Sequence, residues 1–507
     1  MYSLSIKTIQ SLLDDNNLLR DVVIQKSWHY RLTDDQQLER VVEDISYFSG
    51  ESKKETLFFC KGENFKEAYL HEALSNGTTF FVAEKAYETD SGIGFIVSDI
   101  RKAMAILARA YFDYPDQKLH MIGITGTKGK TTTTYLTQNI LQNAFPNKVA
   151  YTSSIDNYYD AKNHYGANLT TPESLDLFKM FAVAVENNME YFVMEVSSQA
   201  YKLDRVYGIQ FDYGVFLNIS PDHISEFEHP TLEDYLYCKR QLLVNSTHAV
   251  IYSGTDHIDL LLEEANAVCE TVTTYGSGEE SLYQLAFEEN DSHHFKLTHP
   301  ENNETENYPI GLTGDFNKLN ATASIIISKG YNVSKNNIDK ALDKTVVPGR
   351  MEKMVLPNGA TVIIDFAHNY LSIKTLLEFV TKEYPESKIV TVSGGPGSRG
   401  EDRLLGMAKV FSNYGDIIYL TADNPDYDDP TDLSHLISDH IEGAHSIIIE
   451  NNREKAITKA VSSAKPGDVV VIMGKGTENY QIINGKNVPY IGDRKAVQNY
   501  INSLSDK

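Results

Sequence analysis

The chain has 507 residues, enough for roughly two to four domains that each bury a core. Its formal net charge of −24 argues against nucleic acid as a partner, because duplex binding needs clustered Lys and Arg to replace counterions. Cys60, Cys238 and Cys269 form neither a zinc pattern nor a disulfide framework, MYSLSIKTIQ is no signal peptide, and no apolar run approaches the roughly 20 residues that span a bilayer, so a cytoplasmic protein without membrane insertion is expected.

Residues 1–117 read as a first unit of strands and helices. TLFFCKG (56–62) and TTFFVAEK (78–85) have the aromatic and β-branched content of strands, and residues 63–77 read as a helix stopped by Gly77. The stretch 111–118, YFDYPDQK, reads as a linker.

Residues 118–347 alternate strand and helix patterns, which predicts a mostly parallel sheet covered by helices. The unit opens on MIGITGTKGKTTTT (121–134), an apolar strand running into a glycine-rich turn and then a helix. Gly126, Thr127, Lys128 and Gly129 let backbone N–H groups approach an anion, Lys130 neutralises terminal phosphates, and the Thr131 hydroxyl, beside Thr132, can ligate magnesium. Ile124 stands where the standard phosphate loop has its first glycine. Further strands are MEYFVMEVSS (189–198), FDYGVFLNIS (211–220) and HAVIYSG (248–254), whereas the polar residues 277–309 read as surface hairpins or loops.

Pro348 and Gly349 interrupt a helical pattern at VVPGRME (346–352), and residues 348–507 read as an open, doubly wound, Rossmann-like unit. Its strands are 360–369, 388–395, 416–424, 445–451 and 467–476. Polar residues follow their ends, where such sheets collect ligands: Asp365 and His368, Arg399, Asp423 and Asn424, Lys475 and Glu478. The expected fold class is α/β in three domains.

If Lys130 and Thr131 hold ATP and Mg²⁺, a carboxylate ending a neighbouring strand should complete the metal shell, and Glu195 is placed for it. The segment 218–243 adds Asp222, His223 and Lys239. A lysine beside a dication makes sense if it neutralises phosphate or is modified to carry negative charge.

GITGTKGKTT, TTPES (170–174), EVSSQAYKLDRV (195–206), LNISPDHISEFEHPTLEDYLYCKRQLL, GDFNKLNA (314–321), VPGRME, DFAHN and DNPDYDDP (423–430) together resemble the Mur ligases, in the form that adds L-lysine as third residue of the bacterial cell-wall peptide. The resemblance runs from about residue 40 to KGTENYQII, and the displaced glycine of the phosphate loop is the variant of this family. It implies an N-terminal domain for a UDP sugar (1–117), a central ATPase (118–347) and a C-terminal domain for the amino acid (348–507). It also implies a monomer that uses ATP and Mg²⁺ to phosphorylate the D-glutamate carboxylate of UDP-N-acetylmuramoyl-L-alanyl-D-glutamate, after which an amine displaces phosphate.

Carried across by motif, Lys130, Glu195, His223 and Lys239 are the catalytic residues, with Thr131, Glu195, His223 and a carbamylated Lys239 (N6-carboxylysine) serving the metal. Asn317, Asn320, Arg350, Asp365 and His368 join residues 126–132 around ATP. Thr170, Thr171, Ser198 and Arg205 match positions for the UDP substrate, with Ser49 and Lys61 in the first domain. There the chain departs from many relatives, reading Phe48, Ser49, Gly50 in place of Asp-Ser-Arg. Asp423 and Glu478 match receivers of the lysine ammonium, beside Asn424, and Arg399 is assigned the α-carboxylate.

Asp426 stands where diaminopimelate-adding members carry arginine, so its charge should repel that substrate and favour a basic side chain. L-Ornithine has the same charge and stays open, since one methylene changes preference by only about 1–3 kcal/mol. Meso-diaminopimelate is the disfavoured acceptor. A folate polyglutamate ligase and a nucleotide-dependent switch protein are the remaining, less favoured function classes.

Overall fold

The computed structural model describes residues 2–505 except 63, 222–223, 226–227, 288–290, 300–303, 399–400 and 444. The chain divides into two compact units, Met1–Gly311 with Asp315–Thr345, and Leu312–Gly314 with Val346–Lys507.

The first unit contains two large sheets. The N-terminal one has six strands in the order Ser27–His29, Leu19–Ile24, Ile93–Val97, Phe80–Ala83, Thr56–Phe59 and Asp44–Ser46. The last four pair in parallel, and their runs IGFIV, FFVA and TLFF are buried throughout, as parallel strands covered on both faces require. The expected helix is Glu67–Ser75.

The stretch 111–118 is more than a linker. The helix Ile100–Tyr111, capped by Asp99, runs into it, and Pro115–Lys118 forms a 3₁₀ turn whose Asp116 is buried against Arg109 at 2.8 Å. One apolar cluster continues from Leu4 through Tyr111, Phe112 and Leu119 to Phe181 and Leu242, so the expected boundary at 117/118 lies inside a shared core.

The central sheet has eleven strands. Its parallel middle sets the phosphate-loop strand His120–Thr125 between Tyr191–Glu195 and Phe211–Phe216, so three carboxyl ends lie side by side. Gly123 permits a close crossing: a Cβ there would stand 2.7 Å from Leu242 Cδ1 of the helix Leu232–Val244, which also carries Lys239. Residues 277–309 supply strands Tyr283–Ala286, His294–Thr298 and Thr305–Pro309, which extend this sheet, so the hairpin expectation holds. Their alternation is half-buried, with Leu285, Phe295, Leu297 and Tyr308 inward.

The second unit's sheet has the order Glu352–Val355, Thr361–Asp365, Val469–Met473, Ile389–Ser393, Ile417–Leu420, Ser446–Ile449. The five expected strands are parallel, and Glu352–Val355 adds an antiparallel edge. An unexpected hairpin, Tyr480–Ile483 with Lys486–Pro489, follows. No described helix is long and apolar enough to cross a membrane.

Candidate active site

The phosphate loop has the geometry its sequence demands. Gly126 (φ +154°) and Gly129 (φ +89°) adopt backbone conformations unfavourable to other residues, and a Cβ on Gly129 would stand 2.5 Å from Asn320 Oδ1. The loop therefore turns into the helix Lys130–Ala144 with its N–H groups leading, where the helix dipole favours an anion. Lys130 Nζ donates to Gly126 O at 2.8 Å, and Lys239 Nζ, buried on the neighbouring helix and 4.6 Å from the centre of the Tyr235 ring, donates to the same carbonyl at 2.8 Å. Two cationic side chains thus converge at the loop.

Asn218 holds the loop in place. Its Oδ1 accepts the Lys128 N–H at 2.8 Å, its Nδ2 donates to Lys128 O at 3.0 Å, and its carbonyl accepts the Thr127 N–H at 3.0 Å. Sequence reasoning missed Asn218, although its place just after a strand beside the loop strand was the available signal. Asn317 and Asn320 are buried together on the helix Asp315–Gly330, with Asn320 against Gly129.

Glu195 is fully buried, and its carboxylate accepts from Ser154 N at 2.7 Å and Ser154 Oγ at 3.0 Å. Ser154 Oγ is 3.0 Å from Thr170 Oγ1, while Thr171 Oγ1 donates to Glu195 O at 2.9 Å and accepts from Ser197 N at 3.1 Å. Thr170, Thr171 and Glu195 are therefore one hydrogen-bonded group, with Ser154 as its unforeseen centre.

Arg205 continues that group outward. It donates to Thr171 O at 3.2 Å and pairs with Glu173 at 3.1 Å, and Lys61 Nζ meets the other Glu173 oxygen at 2.6 Å. Burial lowers the Lys61 pKa despite its pair with Glu173, and its ammonium stands 4.7 Å from the centre of the Tyr47 ring. Tyr47 donates to Asp176. Ser49 instead donates to Glu72 at 2.6 Å, and Phe48 beside it is exposed.

Ser198 leads away from the surface. Its hydroxyl is 2.9 Å from His229 Nε2, His229 Nδ1 is 2.6 Å from Asp234 Oδ2, and Lys202 donates to the same Asp234 oxygen at 2.7 Å. Cys238 lies close enough to share an ion with His229 and Asp234, but both ring nitrogens of His229 already face hydrogen-bond partners. His223 and Arg399 lie outside the described residues.

In the second unit, Asp365 accepts the N–H groups of Met351 and Ala367, each at 2.8 Å. Arg350 stacks on Phe366 at 4.5 Å from the ring centre. His368 Nδ1 donates to Phe366 O at 2.7 Å, and the His368 carbonyl accepts from Arg403 at 2.9 Å.

Asp423, Asn424 and Glu478 gather around a residue of their own chain. The fully buried Lys475 Nζ is 2.5 Å from Asn424 Oδ1, 2.9 Å from Glu478 Oε2 and 3.4 Å from Asp423 Oδ1. Asn424 Oδ1 also accepts the Ile482 N–H at 2.9 Å, and Gln481 Nε2 donates to the carbonyls of Ala422 and Asp423, which ties the hairpin to this cluster. Asp426, at φ +53°, accepts the Gly485 N–H on its carboxylate at 2.8 Å. Besides any contact to a ligand, it holds the hairpin turn.

Residues 124–328 match the Mur ligase middle domain, and residues 349–476 match the Mur ligase glutamate ligase domain. The chain is 42% identical over 505 residues to the UDP-N-acetylmuramoyl-L-alanyl-D-glutamate--L-lysine ligase of Enterococcus faecalis, covering 99% of both chains. It belongs to the Mur ligase family. A second relative of the same description, from Streptococcus mutans, is 39% identical over 98% of this chain and its own full length. A solved UDP-N-acetylmuramoyl-L-alanyl-D-glutamate--2,6-diaminopimelate ligase superimposes with a TM-score of 0.67 over both full chains at 22% identity, which gives the Mur ligase fold. Mur ligases are ATP-dependent amide ligases. The two matched Mur domains hold most of the residues described above; Glu478 and the hairpin lie just beyond them, and Tyr47, Phe48, Ser49, Lys61 and Glu72 precede them.

Proposed function

We propose that this Mur ligase joins L-lysine to the D-glutamate carboxylate of UDP-N-acetylmuramoyl-L-alanyl-D-glutamate, with ATP converted to ADP and phosphate, in cytoplasmic synthesis of peptidoglycan precursor and as a monomer. The observation that carries the reading is full-length similarity to L-lysine-adding ligases in a chain whose acceptor-side cluster is acidic. A carboxylate is a poor electrophile; as an acyl phosphate it can be attacked by the amine, and phosphate leaves with the C–O electron pair.

The phosphate loop and Lys130 hold the ATP phosphates and stabilise charge as the γ-phosphoryl group moves to the carboxylate oxygen. Asn317 and Asn320 border the nucleotide from the next helix, and Arg350, Asp365 and His368 are assigned to it by motif. Mg²⁺ suits the oxygen donors available here, a buried Glu195 carboxylate oriented by Ser154 and the Thr131 hydroxyl; when bound it neutralises phosphate charge. Lys239 as a carbamate would keep one N–H for Gly126 and offer two oxygens to that ion; His223 is assigned there by motif.

Thr170, Thr171, Ser198 and Arg205, with Lys61 and Ser49, hold the UDP-linked dipeptide. Asp423 and Glu478 bind the ε-ammonium, with Asn424 and Asp426 beside them, and Arg399 takes the α-carboxylate. The test is phosphate release by purified protein with ATP, Mg²⁺, UDP-muramoyl dipeptide and each of L-lysine, L-ornithine and meso-diaminopimelate. Release dependent on both dipeptide and L-lysine is expected; turnover with diaminopimelate but not lysine overturns the acceptor assignment.

A further inference from the structure

Ser198 is buried at the start of the helix Ser198–Lys202, and what lies behind it determines which way its hydroxyl points. His229 behind it is fully buried, and its ring meets Tyr235 edge-on at 5.1 Å between centres. Asp234 belongs to the first turn of the helix Leu232–Val244. Burial alone would raise its carboxyl pKa, but hydrogen bonds from Lys202 and His229 outweigh that and hold it below the usual range, so it is a carboxylate. A carboxylate can only accept, so the proton of the His229–Asp234 bond sits on Nδ1. In the neutral ring Nε2 is then an acceptor; it faces the Ser198 O–H at 2.9 Å and the Gln199 amide at 3.5 Å, and the shorter contact assigns the Ser198 proton to it.

The consequence lies at the substrate. A serine whose proton is committed inward presents only lone pairs outward and can take an N–H but cannot bond a carboxylate. We propose that His229, fixed in one tautomer by Asp234, is a positioning residue that turns Ser198 so that its oxygen accepts a hydrogen bond from an amide N–H of the UDP-linked dipeptide. The inference rests on the reading of Ser198 as a contact to that substrate. It adds His229 and Asp234 to the binding machinery and states the polarity of the contact.

Asp234→Asn tests it with little change of shape. The amide can donate to Nδ1, which moves the ring proton to Nε2 and reverses the Ser198 hydroxyl, the same logic by which a wrong tautomer disables a Ser-His-Asp triad. For the full-length enzyme, Asp234→Asn and Ser198→Ala should each raise KM for UDP-muramoyl dipeptide about tenfold and leave KM for ATP and L-lysine within about twofold. The double variant should be no worse than Ser198→Ala alone, because both substitutions remove one interaction. Nitrogen-15 NMR of histidine-labelled protein should place the His229 proton on Nδ1 in the wild type and on Nε2 in Asp234→Asn.

A wild-type spectrum with the neutral ring protonated on Nε2, an unchanged KM in Asp234→Asn, or additive losses in the double variant overturns the proposal. The wild-type spectrum needs no variant, so the proposal stays falsifiable even where Asp234→Asn does not fold. Phosphate release that ignores UDP-muramoyl dipeptide overturns the functional reading and the substrate contact together, whereas the spectrum decides the tautomer independently.

Discussion

The phosphate loop of the first unit and the Asp423 cluster of the second place lysine ammonium groups in opposite surroundings. Lys130 and Lys239 both donate to Gly126 O, and Lys130 also reaches Thr127 O at 3.4 Å, so the two side chains meet backbone carbonyls of the phosphate loop. Lys475 is enclosed by Asp423, Asn424 and Glu478 and serves their charge from within. On the proposed function the first arrangement meets phosphate, and the second, with two carboxylates around one ammonium, suits a substrate with one extra cation. On that proposal the same side chain is a ligand-binding group in one place and an internal counter-ion in the other.

If that contrast is right, charge removal at the two sites should be felt by different substrates. Lys130→Ala should lower kcat by at least about 10²–10³-fold, the scale of losing one preorganised group at developing charge. Steady-state phosphate release measures it, and near-normal turnover would mean that the loop only binds. Lys239→Ala should cost about 10²-fold, and short carboxylates such as formate or acetate should restore part of it if the native group acts as a carbamate. Activity that added carboxylate does not restore would leave Lys239 acting as an ammonium.

Lys475→Met addresses the other side of the contrast. It strands the buried Asp423 beside the half-buried Glu478, which should cost about 3 kcal/mol of stability in urea unfolding. It should also raise KM for L-lysine about tenfold through loss of the placement of Asp423 and Glu478, with KM for ATP unchanged. An effect on ATP alone would show that this lysine works at the nucleotide.

The two sites also differ in how far they can be read from sequence. The loop is a contiguous stretch whose glycines, lysine and threonine each have one mechanical role, so strand, turn and helix emerge with their φ requirements. The five parallel strands of the second unit are equally plain because TVIID, IVTVS and VVVIM are continuous apolar runs. Asn218, Ser154 and His229 are not legible as site residues in this way, since each works through a partner distant in sequence: Lys128, Glu195 and Ser198. The hairpin Tyr480–Ile483 with Lys486–Pro489 escapes for a related reason, because its strands are exposed or half-buried and lack apolar alternation. Residues 277–309 look irregular because charged residues outside mask the inward Leu285, Phe295, Leu297 and Tyr308.

Asp426 offers the finest probe of the contrast, because charge selection and hairpin support meet in one side chain. From sequence, Asp426→Arg should simply lower the preference for lysine over diaminopimelate. The structure adds a second cost, since the new side chain cannot accept the Gly485 N–H, a loss of about 1 kcal/mol at a partly exposed turn. Asp426→Asn separates the two, because it keeps an acceptor oxygen and removes the charge. The expected order for the lysine-to-diaminopimelate ratio is wild type, Asn, Arg, with unfolding midpoints of wild type and Asn together and Arg slightly lower. If Asn matches wild type in both ratio and midpoint while Arg falls in both, Asp426 acts through the hairpin alone, and the negative charge that selects lysine resides in Asp423 and Glu478.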